Sequence, residues 1–235
     1  MTRRRWIADR VEGDHAFLLG PNATHLFRVL RAKAGQQFDI AANGVLRHGT
    51  IVHAAMDKVE FELGDEVAST ALPQVTVYLP IFKFDRLEWA LEKLTELGVS
   101  SIRPMITQRT EQHLAKAAAK RVERWRKLAH EASQQARRIT PPEIADPLSL
   151  KKAIAEEKGS RIVLAEAEEQ VFLKAALAGC EAPLALAFGP EGGWSEAEME
   201  LFKASGWKAA SLGHTILRAE TAAIAAAAVA MAELA

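Results

Sequence analysis

From residue 75 onward, short apolar runs alternate with stretches whose apolar residues recur every three or four positions, and this alternation limits the fold more than any other feature. Val75 to Phe82 is a continuous apolar run with branched side chains, the pattern of a strand buried on both faces. A helix follows: Asp85 is placed to cap it, Glu88 lies three residues on, and Leu87, Leu91, Leu94 and Leu97 form one stripe. Gly98 supplies its stop. Val99 to Ile106 reads as a second strand, and Glu111 to Arg138 as a long helix. In that helix Trp125, Leu128 and Ala132 face inward, and Pro141-Pro142 ends it. Arg161 to Ala165, Leu184 to Phe188 and Ala209 to Leu212 are three further strands. Ser195-Glu196-Ala197-Glu198 opens a helix as a capping box, and an Ala-rich helix runs from about Ala219 to the end. Strands and helices alternating in this way predict an α/β fold with a largely parallel sheet covered on both faces.

Residues 1–72 follow another rule. Trp6-Ile7-Ala8, Ala16 to Leu19, Gln37 to Ile40, Leu46 to His53 and Lys58 to Leu63 are short strand-like runs. Asn43-Gly44 predicts a tight hairpin, because both residues tolerate positive φ. One helix interrupts them, with Asn22 as its cap and Leu26, Val29 and Leu30 at helical spacing. Such a set predicts a small barrel, with the boundary at Leu72-Pro73 and domains of 1–72 and 73–235.

Composition narrows the function classes. A single cysteine, Cys180, excludes an internal disulfide framework and a cysteine-rich zinc site. No long apolar run follows Met1-Thr2-Arg3-Arg4-Arg5-Trp6, so no secretion signal is read there, and the run Ala222 to Ala232 is shorter than the roughly 20 residues a bilayer needs. A cytoplasmic protein is expected. Net charge is zero, but its layout is uneven. Residues 103–140 hold ten Lys or Arg against three Asp or Glu; residues 141–235 hold eight against fourteen. A basic block in a neutral chain points to a local anionic partner or to a solvated helix face.

Two segments carry the candidate chemistry. Phe188-Gly189-Pro190-Glu191-Gly192-Gly193-Trp194-Ser195 joins a buried strand to a capped helix. Its glycines allow a sharp bend whose backbone can approach a ligand closely, or serve the turn alone. It contains no Gly-Lys-Ser/Thr of a phosphate loop and no dinucleotide fingerprint. Ala197 stands where a nucleophile elbow needs a second glycine, which leaves Ser195 as a cap. No His-Glu-x-x-His occurs, and no metal site is expected. The second segment, Leu212-Gly213-His214-Thr215-Ile216-Leu217-Arg218-Ala219-Glu220-Thr221-Ala222, also leads from strand to helix. Its apolar residues around a glycine suit a flat ring, and Arg218 is a permanently charged planar donor; read alone, it also fits a plain helix start.

The two segments together resemble the paired glycine loops of SPOUT methyltransferases, and specifically the family that methylates N3 of a uridine in 16S ribosomal RNA. The second is similar to that family's LG-x-x-ILR-x-ETA box, and the first to its GPEGG-[hydrophobic]-S-x-x-E box. His25 to Arg31 resembles an N-terminal H-[apolar]-x-x-VLR, Lys83 to Gly98 a K-G-D-R-x-E-W…K-x-x-ELG helix, and Glu131 to Arg138 an EA-x-x-Q-x-x-R run. The match is collinear over nearly the whole chain. The chain departs from the pattern at Phe84, where glycine is usual, at Gln134, where an acid is common, and at His214-Thr215, which replace Pro-Arg.

The resemblance implies a PUA-like β-barrel followed by an α/β domain with a C-terminal trefoil knot. It implies a homodimer whose subunits complete each other's sites, with S-adenosylmethionine held in the knot loops. Mapped residue by residue, the cofactor set is Leu164, Glu166, Gly189, Pro190, Gly193, Leu212, Gly213, Ile216, Leu217, Arg218, Thr221 and Ala222. Uracil N3 carries a proton at neutral pH, so a base or an anion-stabilising charge is needed. Arg218 is expected to stabilise charge on a uracil oxygen, and Glu191 or Glu220 to accept the proton. N3 lies on the pairing edge, so the target must be unpaired or flipped. Arg28, Arg31, Arg109, Arg124, Arg137 and Arg138 are the expected contacts to RNA phosphates. The competing expectations are a methyltransferase of another RNA, such as transfer RNA, and a ribosome-assembly protein that binds RNA without catalysis.

Overall fold

A computed structural model describes residues 5–155 and 159–235; Met1 to Arg4, read above as no secretion signal, lie outside them. The chain forms two compact units. The first takes the residues up to Ala71 together with Ser133–Pro141, and the second takes Leu72–Ala132 and Pro142–Ala235.

In the first unit β1 (Arg5–Ile7), β2 (Arg10–Glu12), β3 (His15–Leu19), β4 (Gln37–Ala42), β5 (Val45–Ala54) and β6 (Lys58–Glu66) form one sheet in the order β1-β4-β5-β6-β3-β2. It is antiparallel except where β1 runs parallel to β4. Asn43 (φ 51°) and Gly44 (φ 81°) make the β4–β5 turn, both in the left-handed region that this hairpin requires. Register shifts in β5, between Arg47 and Gly49 and between Ile51 and His53, bend the sheet around Ile40, Ile51, Val59 and Phe61.

The helix after β3 starts earlier than expected. α1 is Gly20–Thr24, its cap position is Leu19, and no side chain caps it. Asn22 therefore lies inside the helix, because Pro21, with no N–H to satisfy, takes the first turn. A π-helical turn, His25–Val29, continues it, burying Leu26 and leaving Val29 65% exposed.

Segment 133–141 belongs to the first unit, which sequence order did not suggest. Gln134 binds the edge of β1 as a neighbouring strand would. Its Oε1 accepts from the Ile7 N–H at 2.7 Å, and its Nε2 donates to the Ile7 carbonyl at 2.9 Å. An acid at this position would lack the donor. Ile139 packs with Ile7, Ala41 and Leu46.

The second unit contains β7 (Val75–Pro80), α2 (Phe84–Glu96), β8 (Ser101–Ile106), α3 (Gln112–Ala118) and α4 (Val122–Gln135, which the division between units crosses). It continues with β9 (Glu143–Ile144), β10 (Leu148–Ser149), α5 (Leu150–Ala155), β11 (Ser160–Leu164), α6 (Leu173–Leu177), β12 (Leu184–Ala187), α7 (Glu196–Ala204), β13 (Lys208–Ala210) and α8 (Ala219–Leu234). The strands pair in the order β10-β8-β7-β12-β11-β13, with β9 beside β8, and every pairing is parallel.

The central strand β12 shows how the sequence builds this sheet. Leu184 and Leu186 enter the cluster that includes α2 and α8, whereas Ala185 and Ala187 face Tyr78, Phe202 and Trp207. Large side chains meet a helix layer on one face, and small ones leave room for aromatic rings on the other. α8 places Ala223, Ala226, Ala227 and Ala230 on one fully buried face, and their small size lets the helix lie close to α2 and β7.

Two helix readings are corrected. α2 begins at Phe84, and its cap position is Lys83, so Asp85 sits in the first turn without capping. There its charge still suits the positive end of the helix. The long helix expected from Glu111 to Arg138 is broken by a 3₁₀ turn, Ala119–Arg121, and ends well before Pro141. Arg137 adopts φ 55°, with Arg138 N–H donating to Ser133 O and Arg137 N–H to Gln134 O. These two bonds satisfy the last carbonyls and stop the helix without proline. Phe84, where the family pattern has glycine, packs against Trp125 and carries the Arg121 guanidinium over its ring.

Candidate active site

β12, β11 and β13 are neighbours, and the loops leaving their carboxyl ends meet around one cavity of about 960 Å³. That end of a parallel sheet is where ligands bind in open α/β folds, and the volume lies at the upper end of the roughly 300–1,000 Å³ usual for cofactor sites. Both glycine-bearing bends line it, as do Leu164 to Glu169 after β11.

The first bend is held from below by Trp194. Its Nε1 donates to the Leu164 carbonyl at 2.8 Å, and its ring meets Phe202 edge-on at 4.8 Å. A Cβ on Gly189 would lie 3.2 Å from that Nε1, a tight contact that the indole could meet only by shifting a few tenths of an ångström, so glycine suits the bend as it is packed. Gly193 has φ 72°, the second reason for glycine in this loop. Ser195 then caps α7 in a complete capping box with Glu198. The buried Glu198 carboxylate also accepts from the Gln108 N–H at 2.8 Å, which fixes the loop after β8 beside the cavity. From that loop Arg109 donates to the Gly192 carbonyl.

The second bend is tied down at its start: Ser211 N–H donates to Val171 O and Leu173 N–H to Ser211 O. Among the described residues the amides of Gly213 to Leu217 have no protein acceptor, so they are free to meet the edge of a ligand. Gly213 has φ 138° with open space around its α-carbon. The His214 ring lies edge-on to Phe172 at 5.4 Å, and Ile216 is 81% exposed.

Of the residues singled out from sequence, Leu164, Glu166, Gly189, Pro190, Gly193, Leu212, Gly213, Ile216, Leu217, Arg218 and Ala222 all line the cavity, and so does Glu191. Thr221 does not, and its side chain faces solvent. Glu220 does not either; it is buried at the start of α8. Arg218 occupies the cap position of α8, exposed and paired with no acid among the described residues.

The arginines expected on RNA fall into different settings. Arg28 and Arg31 are exposed in the first unit, Arg31 at φ 50°. Arg137 is exposed, whereas Arg138 is buried and donates to the Thr140 carbonyl at 3.0 Å. Burial pushes the Arg138 guanidinium pKa down to about 10. In the second unit Arg109 lines the cavity, while Arg124 pairs with Glu88 through two bonds of 2.9 and 2.8 Å. Those bonds from Arg124, with help from Arg121, hold the Glu88 carboxyl below its usual range.

Sequence reading missed one cavity residue that the geometry brings forward. Arg86 lines the cavity and places Nη1 2.9 Å from Glu191 and Nε 3.8 Å from Glu220. The available signal was its place in the Lys83 to Gly98 motif, where it passed as part of a helix start.

Comparison with known proteins agrees with this architecture. A family model described as an RNA methyltransferase domain matches residues 70–231. Ribosomal RNA small subunit methyltransferase E of Synechocystis is 31% identical over 209 residues, covering 84% of this chain and 66% of its own length. The Bacillus subtilis protein of the same name is 30% identical over 217 residues, covering 87% and 85%. A Legionella pneumophila protein solved with bound S-adenosylmethionine superposes with a TM-score of 0.83, at 27% identity over 99% of this chain and 98% of its own. The chain belongs to the ribosomal RNA small subunit methyltransferase E family.

Proposed function

We propose that this chain is an S-adenosylmethionine-dependent methyltransferase that modifies N3 of a uridine in 16S ribosomal RNA of the small subunit. The observation that carries the reading is the single cavity into which both glycine bends open, at the carboxyl ends of β11, β12 and β13. Family membership supports the choice of substrate.

The residues present fit the cofactor. Leu212, Ile216 and Leu217 offer apolar sides to a flat ring, and the free amides of the second bend face its edge. Gly189, Pro190 and Gly193 let backbone approach closely, and Leu164 and Glu166 close the third side. Thr221 enters this set only through the resemblance. When bound, the cofactor supplies a sulfonium methyl already activated for displacement. The protein must then orient uracil N3, remove its proton and steady the resulting charge. Arg218, at the cavity wall and paired with no acid among the described residues, suits charge on a uracil oxygen, and Glu191 and Glu220 are the candidate proton acceptors.

Phosphates flanking the target fall to the exposed Arg28, Arg31 and Arg137 and to Arg109. Arg124 and Arg138 are committed to Glu88 and to Thr140, and contribute to RNA binding through the charge of the block. We read the first unit as a PUA-like barrel and the loops of the cavity as a trefoil knot. The functional form is a homodimer: α8 carries Ile224, Ala225 and Ala228 half-buried away from its fully buried alanine face, an apolar surface suited to a second subunit. The protein works in the cytoplasm; among the described residues no helix is long and apolar enough to cross a membrane.

Mass spectrometry of ribosomal RNA from cells lacking the protein tests the reading. The expected result is loss of one N3-methyluridine, restored by the wild-type chain. An unchanged set of methyluridines, with no calorimetric binding of S-adenosylmethionine, would refute it.

A further inference from the structure

Two acids were left as candidate proton acceptors, and Arg86 separates their roles. Arg86 is the third residue of α2, a helix anchored by Leu87, Leu91 and Leu94, each fully buried. Its guanidinium therefore projects from a rigid base. Nη1 lies 2.9 Å from Glu191 on the first bend, and Nε lies 3.8 Å from Glu220 behind the second. The two carboxylates differ in access. Glu191 is exposed and lines the cavity. The Glu220 side chain is 7% exposed, does not line the cavity, and has a buried Oε2 with no hydrogen-bond partner among the described residues. A buried carboxylate without hydrogen bonds is costly unless a cation stands beside it. Arg86 is that cation, and the first turn of α8 favours negative charge at the same place.

We infer that Arg86 is a positioning residue: anchored by Glu220, it holds the Glu191 carboxylate at the cavity wall as the proton acceptor for uracil N3. The inference rests on the methyl transfer proposed above. In that step the N3–H bond breaks and its proton passes to Glu191. The electron pair left on N3 forms the bond to the methyl carbon, and the pair of the broken carbon–sulfur bond stays on sulfur. Glu220 takes no proton in this scheme and serves as a fixed counter-charge.

The test uses the full chain and the variants Arg86→Ala, Arg86→Lys, Glu191→Gln and the double variant Arg86→Ala/Glu191→Gln. Three quantities are read: single-turnover methyl transfer to a small-subunit RNA fragment across pH, calorimetric affinity for S-adenosylmethionine, and amide exchange of residues 188–194 in the cofactor-free protein. Arg86→Ala should slow transfer by about 10- to 100-fold. Its cofactor affinity should stay within about threefold of wild type, because the lost interaction serves the reaction rather than ground-state binding. Exchange in the first bend should rise by about tenfold, since its tether to α2 is gone. The double variant should be no slower than the slower single variant, because the two residues act as a unit. Arg86→Lys should recover part of the rate and the exchange protection, and it stands in if Arg86→Ala does not fold. Unchanged transfer in Arg86→Ala, multiplicative losses in the double variant, or unchanged exchange in the first bend would each overturn the inference. If wild type binds cofactor yet methylates no ribosomal RNA, the proposed function fails, and the exchange measurement still decides whether Arg86 holds Glu191.

Discussion

Replacing Gln134 with glutamate keeps the shape of the side chain and removes one donor. Gln134 satisfies both the N–H and the carbonyl of Ile7, at 2.7 and 2.9 Å. A carboxylate keeps the first bond, loses the second, and sets a lone pair against the Ile7 carbonyl. One lost hydrogen bond costs about 1 kcal/mol, and a partly buried carbonyl left without a donor raises the total to about 1–3 kcal/mol at neutral pH. Protonating the new acid restores an O–H donor, so the folded state favours the neutral form and raises its pKa above the unfolded value of about 4.3. The sign follows from linkage: a raised folded pKa gives stability that is complete below the unfolded pKa and lost as pH rises through the folded one. Gln134→Glu should therefore match wild type near pH 4 or below, and be about 1–3 kcal/mol weaker near pH 7. Urea titrations of both proteins at the two pH values give the difference, and amide exchange of residues 5–8 localises it. A loss that does not change with pH, or no loss at neutral pH, would refute the reasoning. Exposed Arg137, three residues along, is held by the same segment, so affinity for RNA should weaken with the same pH dependence.

Four further outcomes are expected. Glu88→Gln should cost about 1 kcal/mol or less at neutral pH, since its partners Arg124 and Arg121 are largely exposed. Because the folded pKa of Glu88 is lowered, its contribution is present above the unfolded pKa and disappears as pH falls through the folded one, so paired acid titrations of wild type and variant should converge at low pH. Gly49→Ala should destabilise the first unit by about 1–3 kcal/mol in thermal unfolding, because a Cβ there collides with Ile40 and comes 3.3 Å from Phe61 Cβ. Arg218→Ala should lower methyl transfer by about 100-fold or more with cofactor affinity changed far less, and full turnover would remove its assigned role. Affinity for a small-subunit RNA fragment should fall steeply and log-linearly with salt; a flat titration would exclude phosphate contacts by the basic residues.

The chain's local order was legible from one dimension. Parallel strands buried on both faces must be apolar throughout, so β7, β11 and β12 stood out as runs, and the capping box of α7 and the Asn43-Gly44 turn declared themselves by residue type. Glycine placement also marked both bends of the cavity, because close backbone approach and positive φ are properties of single positions. What the sequence could not decide were encounters between distant residues. Gln134 meets Ile7 across 127 positions, and Arg86 reaches Glu191 across 105. Nothing in the periodicity of either segment encodes such a partner. The same limit hid the end of α4, where Arg137 in the left-handed region closes the helix before any proline. Turn chemistry and burial pattern act within a few residues, whereas the pairing of charges and hydrogen bonds across the fold exists only once packing has brought the chain together, and tertiary structure alone decided it.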